Sequence, residues 1–121
     1  MNLTQFLKEN NGFPENRRVS ISPCFQREGQ ELLWELRAVS EAEYRRAAEG
    51  KADPWAALCL LAVVKPDLQD RALWESYGAD SAEQTLKEML YPGEYIRLLE
   101  EVKALNGFAE RRRAWKEQAK N

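Results

Sequence analysis

The side chains able to do chemistry are few, and their spacing suits binding better than catalysis. The 121-residue chain contains no histidine. That removes Ser-His-Asp and Cys-His nucleophile pairs, histidine-containing zinc sites and the usual near-neutral proton shuttle together. Cys24 and Cys59 lie far apart and match neither a metal-ligand spacing nor a secreted disulfide framework. They read as two buried small hydrophobes in a reducing cytoplasm. Every glycine is isolated, so no phosphate-cradling loop is expected, and neither is a cofactor. Glu41 with Glu43 and Glu100 with Glu101 are the acidic pairs a general acid–base reading would use. With no third group converging on them, they read as a capped helix start and a solvated helix face, and the chain is not expected to be an enzyme.

One cluster carries binding chemistry: Arg111, Arg112 and Arg113, followed by Trp115. Three readings are open. The arginines can pair with phosphate while the tryptophan stacks on bases. They can dock on the acidic part of the chain itself or stay in water. Or the segment can be an interaction tail, since Trp and Arg are common at interface hot spots. The formal charge of −2 argues against a protein whose main work is coating nucleic acid or an anionic membrane. That total hides a polarity: Asp67 to Glu101 holds nine acids against three bases, net −6, whereas Phe108 to Asn121 holds five bases against two acids, net +3.

The elements that must position these groups can be read from periodicity. At 44% hydrophobic and 31% charged residues the composition is that of one globular domain, able to fold without metals or disulfides. There is no signal-peptide pattern at Met1 to Gln5, and the longest apolar run, Trp55 to Val64, is about half a membrane span. Leu3 to Asn10 reads as a short helix with Leu3, Phe6 and Leu7 on one side. Residues 18–38 read as one β-hairpin: Val19, Ile21 and Phe25 alternate with Ser20, Ser22 and Cys24, Leu32, Trp34 and Leu36 alternate with Leu33, Glu35 and Arg37, and Gly29 supplies the turn. Pro23 cannot donate to a ladder, which puts the first strand at an edge. Two strands alone leave both edges unpaired, so the domain's own helices, or a partner, must cover them.

From Ser40 the period becomes helical. Ser40 and Glu43 form a capping box, and this helix stops near Gly50. Asp53-Pro54 starts a helix over Trp55 to Val64 that is buried nearly all round, in preference to a buried strand. Asp67 to Tyr77 gives a further short helix closed by Gly78, and Ser81 caps another that carries Leu86, Met89 and Leu90 on one face. Beyond the Pro92 corner, Tyr95, Leu98, Leu99, Val102 and Leu105 form the cleanest amphipathic stripe, ended by Asn106-Gly107. Phe108 to Asn121 is helix-compatible, with Phe108, Trp115 and Ala119 on one side, but its apolar face is thin, and it frays or needs a partner. The fold class is α+β: an N-terminal β-hairpin followed by a mostly helical body of five or six helices.

The ordered set Leu33-Trp34-Glu35-Leu36-Arg37, Val64-Lys65-Pro66-Asp67-Leu68 with Tyr77-Gly78, Lys87 through Pro92-Gly93-Glu94-Tyr95, and Leu105-Asn106-Gly107-Phe108 resembles the XkdN-like tail assembly chaperones of tailed phages and prophages. The resemblance runs from about Leu3 to the C-terminus. It implies that residues 1–121 form a single chaperone domain, with 108–121 as a basic tail. It also implies a non-enzymatic protein of the bacterial cytoplasm, absent from the finished virion. The implied client is the tape measure protein, with tail tube subunits as a further partner, and a homo-oligomer stays open. No membrane is implied, and nucleic acid is disfavoured. The competing function is a small nucleic-acid-associated or regulatory adaptor using Arg111 to Arg113 and Trp115. Such chaperones are often made also in a longer, frameshifted form. Ala119-Lys120-Asn121 can be encoded as GCA AAA AAY, which contains a slippery heptamer; ordinary codon choice is the alternative.

Overall fold

The structure is a computed structural model that describes residues 3–10 and 12–108. Two short 3-10 turns, Leu3–Phe6 and Lys8–Asn10, replace the expected N-terminal helix. So short a segment cannot sustain an α-helix without a packed face. Leu3, Phe6 and Leu7 are all exposed.

The hairpin is real but its ladder is split. β1 (Arg17–Val19) pairs antiparallel with β4 (Trp34–Leu36) in the register Arg17↔Leu36 and Val19↔Trp34. β2 (Gln26–Arg27) pairs with β3 (Gln30–Glu31) as a separate two-stranded tip. Between the two ladders the first arm spends residues 20–25 while the second spends only 32–33. Pro23 sits in that excursion, where its missing N–H costs no ladder bond. Ile21 and Ser22 are nevertheless buried within it, and the Ser22 hydroxyl accepts the Cys24 N–H at 3.2 Å. At the tip, Glu28 and Gly29 both take positive φ (53° and 79°), as a two-residue hairpin turn requires.

A third strand was not expected. The apolar run is helical only over α2 (Pro54–Ala62); Val63–Lys65 then forms β5, antiparallel to the other side of β4. Two β-branched residues leave the helix readily, and β4 offers them an unpaired edge. The sheet order β1-β4-β5 leaves β1 at an edge, as Pro23 suggested, and removes one of the two exposed edges of the hairpin's long arm.

The helices follow their caps. α1 (Glu41–Ala48) opens on the reciprocal Ser40–Glu43 box, both bonds at 3.1 Å. The carboxylate of Asp53 accepts the Ala56 N–H at 3.1 Å to start α2. α3 (Arg71–Ser76) begins later than Asp67 because residues 67–70 form a turn: Asp67 accepts from Gln69 N–H, and Asp70 caps the helix proper. Leu68 is buried in that turn, and its carbonyl accepts the Trp74 indole N–H at 2.7 Å. α4 (Ala82–Met89) is capped by Ser81, and α5 (Pro92–Leu105) ends at Asn106. α2 is the central helix, with Ala56, Ala57, Leu58, Cys59 and Ala62 buried against α1, α4 and α5. One core runs from Ile21, Trp34 and Leu36 through Leu58, Leu68 and Leu86 to Leu98, Val102 and Leu105.

Candidate partner-binding surface

Asn106 organises the surface where the sheet, α1, α2 and the end of α5 meet. Its Oδ1 accepts the Val39 N–H at 2.7 Å, and its Nδ2 donates to the carbonyl of Val102 at 2.9 Å and of Arg37 at 3.5 Å. The chain leaving β4 is thereby tied to the C-terminus of α5. Beside this tie lies an open cleft of about 440 Å³ lined by Val39, Ser40, Glu41, Tyr44, Leu58, Asn106, Gly107 and Phe108. Its lining is mixed: Val39, Leu58 and Phe108 are apolar, Tyr44 is amphipathic, and Ser40, Glu41 and Asn106 are polar, so the cleft can take a group with both apolar and hydrogen-bonding parts. Tyr44 is partly buried against the core, while Phe108 is 42% exposed.

The aromatic wall continues outward. The Phe108 ring meets Trp55 edge-on, with centroids 5.1 Å apart and planes at 75°. The Lys103 ammonium lies 4.5 Å from the centre of the same Trp55 ring, within cation–π range.

Glu41, Glu43 and Glu101 do structural work. Glu43 accepts from Arg37 at 3.0 Å and closes the capping box, and these bonds hold its carboxyl below the usual range. Glu41 pairs with Arg45 on the same helix, and Glu101 lies 3.5 Å from Arg17. The two cysteines part company. Cys59 is buried, and burial pushes its thiol up to about 12, so it stays protonated as a small hydrophobe. Cys24 is exposed, contrary to expectation, because the excursion around Pro23 carries it off the strand face. Among the described residues no group of three His, Cys, Asp or Glu could hold a metal ion, and no helix is long and apolar enough to cross a membrane.

Arg111, Arg112, Arg113 and Trp115 lie outside the described residues, as does the expected helix beyond Phe108. Sequence reasoning missed Val39, Tyr44 and Asn106. The one signal was the helix terminator Asn106-Gly107 followed at once by an aromatic, which places a ring at the end of α5.

Fold and cleft together define a small α+β domain with a half-exposed aromatic surface at one end of its longest helix. Residues 51–120 match the model of the phage XkdN-like tail assembly chaperone proteins, and the chain belongs to that family. The match takes in α2 to α5 and most of the segment after Phe108. The crystal structure of the protein yqbn is similar in fold, with a TM-score of 0.77 and 22% sequence identity over 89% of this chain and 98% of that one. No curated protein matches the chain.

Proposed function

We propose that this tail assembly chaperone is a non-enzymatic holder of the tape measure protein, acting in the bacterial cytoplasm before tail tube subunits polymerise around that client. The observation that carries the reading is the open, partly aromatic cleft at the Asn106 tie in a chain of this family. A long, largely helical client exposes apolar stripes until the tube encloses it, and exposed stripes aggregate. A cleft lined by Val39, Leu58, Tyr44 and Phe108 beside polar Ser40, Glu41 and Asn106 can take one such side chain at a time, reversibly. Tyr44, which lines the cleft and is partly buried, is the aromatic side chain such a residue would pack on.

Co-expression with the tape measure protein of the same phage or prophage should yield a soluble complex recoverable at low and moderate salt. Tyr44→Glu should reduce the captured client by about tenfold, the scale of losing one interface anchor, under conditions where circular dichroism shows the variant folded. Absence of a complex with the wild-type chain at either salt concentration would end this reading.

A further inference from the structure

α5 turns one face outward, opposite the Leu98, Val102 and Leu105 stripe that it buries. Along the middle of that face stand Gly93, Arg97, Glu100 and Ala104, at i, i+4, i+7 and i+11. The row is about 17 Å long at 1.5 Å per residue. Gly93, Arg97 and Glu100 are exposed, and Ala104 is half-buried at the helix end. Ile96 borders the row and is 56% exposed.

The charges of this row are not neutralised within the chain. Glu100 makes neither an ion pair nor a hydrogen bond through its side chain. Arg97, three residues before it, does not turn toward it. Its Nε donates to the Ser20 carbonyl at 2.5 Å, which leaves the outer N–H groups of the guanidinium without a partner. The two ends of the row are small. A Cβ added at Gly93 would meet nothing within 4 Å, so the chain's own packing does not call for glycine there.

Read end to end, the row runs small, basic, acidic, small, and reversal leaves the spacing unchanged while exchanging the two charges. A second α5 laid antiparallel about a two-fold axis between residues 98 and 99 therefore sets Gly93 against Ala104 and Arg97 against Glu100, each contact made twice. Small residues at both ends let the helix axes approach, and opposite charges meet in the middle. On one flank Ile96 packs beside Leu99 and Lys103 of the other copy and leaves water. On the other flank the acids are already engaged, Glu101 with Arg17 and Glu94 with the Tyr91 N–H.

We propose that the occupant of this face is a second copy of the chain, bound through an antiparallel α5–α5 contact in which Arg97 of each copy meets Glu100 of the other. So short a seam belongs with weak, reversible dimers rather than obligate ones. The inference does not depend on which client the cleft holds, and it is tested on the chain alone.

Sedimentation velocity at low salt should show a monomer–dimer equilibrium with a Kd below about 1 mM that weakens as salt rises. Arg97→Glu and Glu100→Arg should each raise the Kd about tenfold, because each sets like charges together at two places. The double variant Arg97→Glu/Glu100→Arg should return to within about threefold of wild type. That recovery would report the seam and not the fold, since the double variant also lacks the Arg97 bond to Ser20. Disulfide trapping reads the register. With exposed Cys24 replaced by serine, a Gly93→Cys chain mixed with an Ala104→Cys chain should oxidise mainly to the mixed dimer. Monomer at all concentrations up to about 1 mM, folded charge variants without recovery in the double, or a preference for either like-with-like disulfide each overturns the proposal.

Discussion

Tyr95 shows how one residue can serve the fold imperfectly. Its ring belongs to the α5 stripe and packs at the edge of the core, but its hydroxyl is buried with no hydrogen-bond partner among the described residues. Burial, with smaller contributions from Cys59 and nearby carboxylates, pushes the phenol up to about 12, so it stays a neutral, desolvated O–H at any ordinary pH. A buried polar group without a partner costs about 1–3 kcal/mol. Tyr95→Phe keeps the ring and removes the cost, so urea unfolding should show a midpoint above wild type with an unchanged slope. A lower midpoint would mean that the hydroxyl makes a stabilising bond after all. The periodicity of the sequence placed Tyr95 on the right face, but no pattern of apolar residues says whether a hydroxyl at that face finds an acceptor.

At the scale of elements, those legible in the sequence were those with local causes. Ser40, Asp53 and Ser81 start helices because a side-chain oxygen takes an orphan N–H within three residues, and that information is contiguous. β5 was not legible, because Val63-Val64 becomes a strand only when the distant edge of β4 is available to pair with it. The split of the hairpin belongs to the same category: Ile21 and Trp34 bury as their alternation predicts, while the loop between them depends on the packing of Ser22. The Asp53 cap also has a long-range side that the sequence hid, since its second oxygen accepts from Lys87 of α4 at 2.9 Å. The Lys87 hydrogen bond first, and the Ala56 N–H second, hold the Asp53 carboxyl below its usual range, and Asp53 raises Lys87 in return. A carboxyl depressed by folding stabilises above its unfolded pKa of about 3.9 and loses that contribution as pH falls through the folded value. The raised lysine contributes below about 10.4 and loses its share as pH rises through its folded value. The two side chains are 37% and 43% exposed, so solvent screening holds the pair to less than about 1 kcal/mol. Asp53→Asn keeps the cap and removes the charge. Its urea midpoint should lie below wild type from about pH 5 to 9 and converge with it below about pH 3, and salt should narrow the gap. Parallel curves across that range would show that the α2–α4 ion pair does not contribute.

For the whole molecule, the decisive question is how a short sheet and the five helices of the described residues become one cooperative unit with a usable cleft. Apolar packing supplies most of it, since Ile21, Trp34 and Leu36 share a core with Leu98 and Val102. Apolar contact is non-directional, however, and does not fix the angle at which the chain leaves β4 relative to α5. Asn106 does: it accepts from Val39 and donates to Arg37 and Val102, a polar tie between segments far apart in sequence that also forms part of the cleft wall. In the sequence it reads only as a helix stop, because a cap and a cross-chain tie call for the same residue. Asn106→Ala leaves the Val39 N–H and two carbonyls without these partners, which should cost about 1–3 kcal/mol. Asn106→Asp keeps an acceptor for Val39 but loses the donors and sets a negative charge at the negative end of α5, so it should fall below wild type as well. Urea titration should show both midpoints lowered with unchanged slopes. Under conditions where both variants remain folded, capture of the tape measure protein should also weaken, because the wall of the cleft has lost its anchor. Wild-type stability in Asn106→Ala would show that packing alone sets the junction. Full capture by a destabilised Asn106→Ala would show that the client binds elsewhere than the cleft.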